Sequence, residues 1–380
     1  MKKILIILII STLLTGCWNY IEVDDLSIIT GIGLDYDGDS DEIILITEVA
    51  KPVRQQGGTI IRSQIIKSRG KNMTDAIRNL VKITGREIFW GHAKMAILGP
   101  KLIKNKEKFM SCIDYMKRSS NFRDNIWLVV AEESSPLDIL SSEKILQNIL
   151  SFQIEDTFKN EKEISKYLGV ELYEFVDKLA TKGISPLLPL ITVKEGNKGK
   201  EIRVWGMAIF KGMKYVGNIG GEDTKYLLFL LNKLEGGALN VDLKEKNQKA
   251  TLEINGSKTE LKPNYEDESL SMDIHIETKV DIANINKEIP INDEEIQNKI
   301  KNRAQEIIVA NCEKVIDLFQ NEYKNDNLGF SYEYKKEYPK EWKKLENNWN
   351  EVFSNIEVKV TSEVIIEGTA LRSGPIKVVR

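Results

Sequence analysis

Residues 270–282 read Leu-Ser-Met-Asp-Ile-His-Ile-Glu-Thr-Lys-Val-Asp-Ile. Met272, Ile274, Ile276 and Thr278 alternate with polar residues, and successive side chains of a β-strand point to opposite faces. The stretch therefore predicts a strand that is buried on one face and solvated on the other. It is the clearest member of a series of strands that alternates in blocks with helical patterns along the chain, and this series predicts mixed sheet and helix.

Two helical patterns follow this strand. Apolar residues at three- and four-residue steps predict a long helix from about Asp293 to Lys324. A shorter predicted helix, Lys340 to Phe353, has an aromatic face. Its members are Trp342, Leu345, Trp349 and Phe353. We expect this face to pack onto the final predicted strand, Ile356 to Glu367, rather than to stay exposed as a binding surface.

Upstream, strands rich in Ile, Val and Thr alternate with helices. The predicted strands are Leu26–Leu34, Glu42–Val53, Thr59–Lys67, Ile88–Leu98 and Asn125–Ala131. One helix can be capped by Asn72 or Thr74 and should end at Gly85. Further helices are predicted from about Leu102 to Lys117 and between Pro136 and Ala180.

The segment from Gly183 to Lys200 is a predicted domain boundary, because prolines and glycines interrupt it among lysines. After it, a hairpin (Ile202–Lys211 with Lys214–Gly217), a helix (Gly221–Leu234) and a strand region (Asn240–Asn255) form a middle block. We expect three domains, each a mixed or antiparallel β-sheet flanked by helices. Their predicted bounds are 17–197, 198–262 and 263–380, after a signal peptide at 1–16.

The N-terminus has the layout of a bacterial lipoprotein signal peptide. Lys2 and Lys3 precede an apolar stretch of about a dozen residues, whereas roughly 20 are needed to cross a bilayer. Small residues then lead to Cys17, whose thiol could carry diacylglycerol after cleavage. We expect Cys17 to be the lipid attachment site. An ordinary secretory signal with an incidental cysteine, or a short buried helix, remains an alternative.

Composition is that of a globular protein, with 42% hydrophobic and 29% charged residues. Loss of Lys2 and Lys3 with the signal leaves 52 basic and 57 acidic side chains, a formal charge of −5. No basic stripe emerges to neutralise phosphates, so we expect no nucleic-acid partner. Cys112 and Cys312 fall on apolar helix faces and are expected to be buried free thiols, with a single disulfide left open.

The candidate catalytic and metal-binding patterns are weak. The acidic run Asp35, Asp37, Asp39 and Asp41 is similar to a calcium loop, but its glycine is at position 38 instead of 40. Its twelfth position holds Ile46 instead of glutamate, so an acidic hairpin turn is expected. His92 and His275 lie in separate blocks without a ligand set, and His92 is expected to be a strand residue. Gly31-Ile32-Gly33 lacks the third glycine of a dinucleotide fingerprint. We therefore expect no catalytic residue, no metal and no cofactor, and no enzymatic activity.

Several motifs together resemble the Ger(x)C family, the C-subunit lipoproteins of spore germinant receptors. The first is Gly16-Cys17-Trp18-Asn19-Tyr20-Ile21-Glu22-Val23-Asp24-Asp25-Leu26, with Asn19 where the family usually has Asp. Gly91-His92-Ala93-Lys94 is similar to the family's His-x-Lys strand, and Gly206-Met207-Ala208-Ile209-Phe210 to its Gly-x-Ala-x-Phe strand, before Gly236-Gly237. Asp326-Asn327-Leu328-Gly329-Phe330, Tyr338-Pro339-Lys340-Glu341-Trp342, Trp349, Phe353 and Gly368 follow in the family's order.

The resemblance implies a three-domain α+β lipoprotein on the outer face of the inner spore membrane. It implies polytopic A and transporter-like B membrane subunits as partners, and membrane lipid as a partner through the diacylglyceryl cysteine at Cys17. Germinants would bind mainly elsewhere in the complex, so this subunit is expected to act in assembly and coupling. An extracytoplasmic solute-binding lipoprotein and a cell-envelope enzyme are the alternatives; the first should show two similar lobes around a pocket, and the second convergent titratable residues.

Overall fold

A computed structural model describes Glu22 and residues 25–196, 199–243, 248–267, 269–285 and 293–369. The strands are β1 (Leu26–Asp37), β2 (Glu42–Gln55), β3 (Gly58–Gly70), β4 (Glu87–Phe89), β5 (Met95–Leu98), β6 (Trp127–Ala131), β7 (Leu187–Glu195), β8 (Lys200–Lys211), β9 (Lys214–Ile219), β10 (Ala238–Asp242), β11 (Lys249–Glu266), β12 (Ser269–Ile285) and β13 (Glu357–Thr369).

The helices are α1 (Met73–Thr84), α2 (Pro100–Lys104), α3 (Lys106–Arg118), α4 (Pro136–Leu140), α5 (Leu150–Lys159), α6 (Glu161–Ile164), α7 (Leu172–Ala180), α8 (Gly221–Leu230), α9 (Glu294–Asp317), α10 (Phe330–Glu337), α11 (Pro339–Leu345) and α12 (Trp349–Phe353). A π-helical turn, Leu318–Tyr323, continues α9. No helix among the described ranges is long and apolar enough to cross a membrane.

The larger sheet has the strand order β3-β2-β1-β5-β6-β7-β8-β9, and β4 pairs beside β1. Its centre is parallel, from β1 through β5 and β6 to β7, and both margins are antiparallel hairpins. Strands in a parallel centre are usually covered on both faces. Ile97, Leu98 and Val129 there are fully buried.

The smaller sheet has the order β10-β11-β12-β13, with β12 and β13 parallel and the other pairs antiparallel. Met272, Ile274 and Ile276 are buried, as the alternation in residues 270–282 predicts. α9 contacts β13 and β10, so it packs on this sheet, and it also contacts α8, which lies on β8 of the larger sheet. The mixed and antiparallel sheets with flanking helices confirm the predicted α+β fold class.

Local signals placed several elements correctly. Asn72 caps α1 by accepting the Asp75 N–H, and Gly85 ends this helix in the left-handed region at φ 64°. Such a conformation suits glycine, which has no Cβ to clash with the backbone.

Other predicted elements differ from the structure. The predicted strand 88–98 is two short strands, because residues 90–94 leave the sheet between β4 and β5. The predicted helix 102–117 is divided at Asn105, which ends α2 and caps α3. Two helices, α11 and α12, replace the single predicted helix 340–353, and the sequence reasoning missed α10.

The segment predicted as a boundary, 183–200, contains β7. Leu187 and Leu188 are buried in the larger sheet. β7 ends at Glu195, β8 begins at Lys200, and the two strands pair with each other. The sheet therefore continues through the predicted boundary. The division into domains at 17–197, 198–262 and 263–380 stays a prediction.

Candidate functional site at the junction of the two sheets

The loop 325–329 joins the C-terminal helices to the larger sheet. Asn325 and Asn327 are fully buried. The Asn327 Nδ2 donates to the carbonyls of Ser185 at 3.0 Å, Pro186 at 3.0 Å and Phe210 at 3.2 Å. The Asn325 Nδ2 also donates to the Phe210 carbonyl, at 2.8 Å. Because buried amides are stable only when hydrogen-bonded, these contacts fix the loop on the segments before β7 and at the end of β8.

Asp326 lies between these two asparagines and is also fully buried. One carboxylate oxygen accepts the N–H groups of Leu328, Gly329 and Phe330 at 3.0, 2.7 and 3.3 Å. The other accepts the Ser331 N–H at 2.7 Å and the Trp349 indole N–H at 2.9 Å. Burial raises the pKa of the Asp326 carboxyl, and these donors act in the opposite direction. This carboxyl caps the first turn of α10 and ties it to α12.

The predicted aromatic face is internal. Trp342, Trp349 and Phe353 are buried. Trp349 packs at 5.5 Å from Tyr334 and at 4.9 Å from Trp342, measured between ring centroids. Phe353 packs edge-to-face on Phe330 at 5.4 Å. These ring contacts join the face to α10, an element that the sequence reasoning missed. Packing of the face onto the final strand stays a prediction.

A cavity of about 600 Å³ lies beside this junction. Its lining includes Lys178, Lys233, Leu261, Leu328, Gly329 and Glu333. Lys178 and Lys233 also line an adjoining cavity under α7. Burial lowers the pKa of Lys178, nearby Glu174 raises it, and the positive charge of Lys233 lowers it. Glu260 and Lys336 also line the first cavity, so its lining carries both signs of charge. No sequence pattern pointed to Lys178 and Lys233, because they meet only in the folded chain.

The residues of the Gly91-His92-Ala93-Lys94 motif lie between β4 and β5. The expectation that His92 is a strand residue is therefore wrong. Its exposed ring packs edge-on against Phe89 at 5.6 Å. The Lys94 ammonium is 3.2 Å from Glu155 on α5. Glycine at 91 has a steric reason, because a Cβ there would lie 2.7 Å from the Phe89 ring.

The second motif strand is built around Gly206, at φ 91°, where a Cβ would lie 2.4 Å from the Ile219 carbonyl oxygen. Beside it, the Trp205 ring lies under the Arg203 guanidinium, 4.2 Å from the ring centroid. Lys166 contacts the same ring and pairs with Glu222 at the start of α8. The strand's buried Phe210 packs on Phe109 and Phe175.

A second buried carboxylate was also missed from the sequence. Glu48 accepts the Leu150 and Ser151 N–H groups, at 2.8 and 2.9 Å, at the first turn of α5. The Ser151 hydroxyl donates to it at 2.6 Å. Gly31 belongs to this contact, since a Cβ there would lie 1.8 Å from the Ser151 Oγ. The pair Gly31 and Gly33 is therefore explained by close helix packing on β1.

The remaining predicted residues are distributed as follows. Cys17 and the signal peptide 1–16 lie outside the described residues. Cys112 and Cys312 are buried free thiols, and burial raises the pKa of Cys112 to about 12. His275 is exposed on β12, with its Nδ1 3.0 Å from the Thr361 hydroxyl.

The acidic residues 35–41 are divided between β1 and its turn. Asp37 pairs with Arg69 at 2.6 Å, and Asp41 with Lys108 at 2.8 Å. Asp35 accepts the Leu102 N–H at 3.2 Å. In the described part of the chain, no three His, Cys, Asp or Glu side chains are grouped so that they could hold a metal ion.

Two family models match consecutive parts of the chain. One describes the spore germination protein N-terminal domain and matches residues 19–193. The other describes a spore germination B3/GerAC-like C-terminal region and matches residues 205–370. The gap between them contains the end of β7 and the start of β8.

Curated relatives match along almost their whole length. Spore germination protein KC of Bacillus subtilis is 22% identical, with 96% of this chain and 94% of the relative covered. Spore germination protein B3 of the same organism is 23% identical, with 94% and 95% covered. GerQC of Bacillus cereus is 22% identical, with 96% and 98% covered.

A solved structure gives the same result for the fold. The crystal structure of the GerBC protein matches with a TM-score of 0.56 at 20% identity, covering 89% of this chain and 97% of that one. Family models, full-length relatives and fold agree with the motifs quoted from the sequence. The chain therefore belongs to the Ger(x)C family of spore germinant receptor C subunits.

Proposed function

We propose that the chain is a membrane-anchored subunit of a spore germinant receptor complex that acts in assembly and in coupling of nutrient-triggered germination. The match of two germination-protein family models along nearly the whole chain carries this proposal. Its partners would be the A and B membrane subunits, on the outer face of the inner spore membrane. Membrane lipid would be a further partner, through a diacylglyceryl group on Cys17.

The junction of the two sheets supports a coupling role. Asn325, Asp326 and Asn327 connect the C-terminal helices to the larger sheet through buried hydrogen bonds. Breaking buried polar contacts leaves unpaired groups in a low-dielectric interior, so the two sheets should move together. A displacement of one sheet by a partner would then reach surfaces on the other. Protein surfaces, rather than a catalysed reaction, are the working parts of this proposal.

Purification of the full-length tagged chain from detergent-solubilised spore membranes tests the partners. We expect the A and B subunits to co-purify in constant ratio. The matched variant Cys17→Ala should leave the membrane fraction or keep its signal uncleaved, because the thiol is the attachment atom. Mass spectrometry of the N-terminal peptide reports the modification. Mature protein with an unmodified Cys17, or a chain purified without either subunit, would contradict the proposal.

The cavity beside the junction favours one second candidate, a solute-binding lipoprotein. Its lining carries three lysines and two glutamates next to apolar surface from Leu261 and Leu328. Under this alternative, free amino acids should raise the melting temperature of the mature chain, because ligands that bind only the folded state stabilise it. Lys178→Met should abolish the increase. The assembly function predicts no increase in either protein.

A further inference from the structure

The hairpin formed by the end of β2 and the start of β3 projects beyond the larger sheet. β1 pairs with β2 only as far as Ile29 and Val49, whereas β2 and β3 stay paired to Gln55 and Gly58. Residues 50–63 are therefore a two-stranded ribbon, which we name the β2–β3 arm. No arm residue is buried. Two-stranded ribbons are marginally stable in water, so an arm of this length is expected to rest on another surface.

The arm is uniformly basic. Lys51, Arg54 and Arg62 are exposed, and residues 49–66 contain no Asp or Glu. No carboxylate of the described residues forms an ion pair with these cations. The arm also carries Ile61, which is 49% exposed. Exposed cations beside an exposed aliphatic side chain suit the interface of an anionic lipid bilayer.

The arm points toward the side from which the chain arrives at the sheet. β1 is antiparallel to β2, so the continuation of β2 past Val49 runs toward the N-terminal end of β1. Six residues from Val49 to Gln55 extend about 20 Å at ~3.3 Å per residue. The nine peptide steps from Cys17 to Leu26 span at most about 32 Å. A lipid group on Cys17 would therefore hold this end of the sheet near the bilayer.

A second exposed group lies at the same end. β4 is parallel to β1, with Glu87 beside Leu26, so the turn between α1 and β4 lies next to the start of β1. In and beside that turn, Lys82 and Arg86 are exposed, Ile83 is 59% exposed and Phe89 is 40% exposed. The turn repeats the arm's combination of cations and apolar side chains.

The arm is also protected against pairing with another strand. Pro52 lacks an N–H, and Lys51 and Arg54 flank it on β2. Prolines and charged side chains on an edge strand are the usual means of preventing strand addition. This favours contact through side chains over extension of the sheet by a partner's strand.

We propose that the β2–β3 arm, together with the turn between α1 and β4, binds the anionic phosphate headgroups of the membrane that the protein is anchored to. The inference rests on the proposed lipid anchor at Cys17. It fixes the orientation of the body, with the N-terminal end of β1 toward lipid and the turn between β1 and β2 away from it. Arg54 and Ile61 share one face of the ribbon and contact the headgroup layer, while Lys51 and Arg62, paired on the other face, add attraction over a Debye length.

The test uses the full lipidated chain reconstituted in vesicles. Gln56→Cys allows a fluorophore at the arm tip, because Cys112 and Cys312 are buried and Cys17 would be acylated. Asp39→Cys, in the turn between β1 and β2, is the matched control at the other end of β2. These two positions are about 45 Å apart along a strand of this length. A headgroup-attached quencher then reports which end contacts lipid.

We expect quenching at position 56, and not at 39, in vesicles that contain phosphatidylglycerol. Each basic residue near such a surface contributes about fivefold to binding, so Lys51→Gln with Arg54→Gln and Arg62→Gln should reduce the equilibrium constant for the quenched state by about 100-fold. The matched control neutralises Lys101, Lys104 and Lys106, which are exposed near the opposite turn. That variant should quench like the unmodified chain, and added salt should weaken quenching.

Flotation separates failure of the anchor from failure of this inference. A chain that does not float with pure phosphatidylcholine vesicles lacks the lipid anchor. A chain that floats without quenching at position 56 has its anchor but contradicts the arm contact. Quenching that is equal in neutral vesicles would overturn the electrostatic basis. If the fluorophore at position 56 were shielded from solvent only when the A and B subunits are present, the arm would be assigned to an acidic protein surface instead.

Discussion

At the scale of single residues, Asp326 and Trp349 make the most connected contact of the C-terminal region. The indole N–H donates to a fully buried carboxylate that also holds the first turn of α10. The sequence identified Trp349 as a core residue from its helical spacing. It could not identify Asp326 as its partner, because the two are 23 positions apart and meet through a loop.

We predict that Trp349→Ala lowers the free energy of unfolding of the mature chain by about 3 to 5 kcal/mol, since it removes a large buried ring. Trp349→Phe is the matched control. It keeps most of the buried ring but removes the indole N–H, so one oxygen of Asp326 loses a hydrogen-bond donor. We expect this loss to lower the free energy of unfolding by about 1 to 3 kcal/mol. Urea denaturation followed by circular dichroism gives both values. If Trp349→Ala had the stability of the wild type, the aromatic face would instead be an exposed anchor for a partner.

Lys225 provides a prediction that depends on pH. Its side chain is buried, and its Nζ donates to the Ala238 carbonyl at 2.6 Å. Burial lowers the pKa of Lys225 to about 8, the charge of Lys166 lowers it as well, and Glu222 raises it. Between about pH 8 and the ordinary value near 10.5, the unfolded chain binds more protons at this site than the folded chain. Folding stability should therefore rise with pH in that window.

The variant Lys225→Met lacks this titration. Relative to it, we expect the wild type to gain about 2 kcal/mol of unfolding free energy as the pH rises from about 7.5 to about 10.5, with allowance for solvent screening. The difference between the two proteins cancels the titration of other lysines and tyrosines. Parallel stability curves over this range would contradict a lowered pKa at Lys225.

At the scale of elements, the sequence predicted those whose signals are local. α1 has its cap at Asn72 and its terminal Gly85, and β12 has its alternation, so both were placed within a few residues. At β7 the sequence instead predicts a linker, because Pro189 lies within it and Pro186 directly before it. Its membership of the sheet depends on the partners β6 and β8, which sequence periodicity does not reveal.

The position of β7 leads to a prediction about fragments. A fragment of residues 25–197 ends before β8 and exposes the buried strand β7 as a new sheet edge. We expect it to aggregate or to unfold without a cooperative transition. A fragment of residues 25–235 keeps β8, β9 and α8 and should melt cooperatively by circular dichroism. Cooperative, soluble behaviour of the shorter fragment would instead support a domain boundary at 197.

At the scale of the whole molecule, the proposed anchor restricts where the body can act. A flexible Gly/Ser insert between Cys17 and Leu26 should slow germination progressively, because the effective concentration at a membrane partner falls as a tether grows. Germination rate in spores with inserts of increasing length measures this, with protein level checked by immunoblot. A polar insert of equal length without Gly or Ser controls for composition. A rate independent of length would favour an enzyme acting on a diffusing substrate.

The whole-molecule arrangement was the least predictable part. The family resemblance implied partners and location, while the junction and its cavity depend on contacts such as Ser185 with Asn325, 140 positions apart. No periodic pattern in a single chain encodes such a distance. The motifs at 326–330 and 349 marked the junction without revealing what they contact.

The parallel pairing of β12 with β13 has a consequence for the order of folding. Their first paired residues, Ser271 and Glu357, are 86 positions apart, and α9 to α12 lie in the chain between them. Closing so long a loop costs entropy before any strand contact repays it. β13 should therefore dock last, after the helices have collapsed. Until then β12 is an open edge, so the folding chain passes through a stage in which it can aggregate.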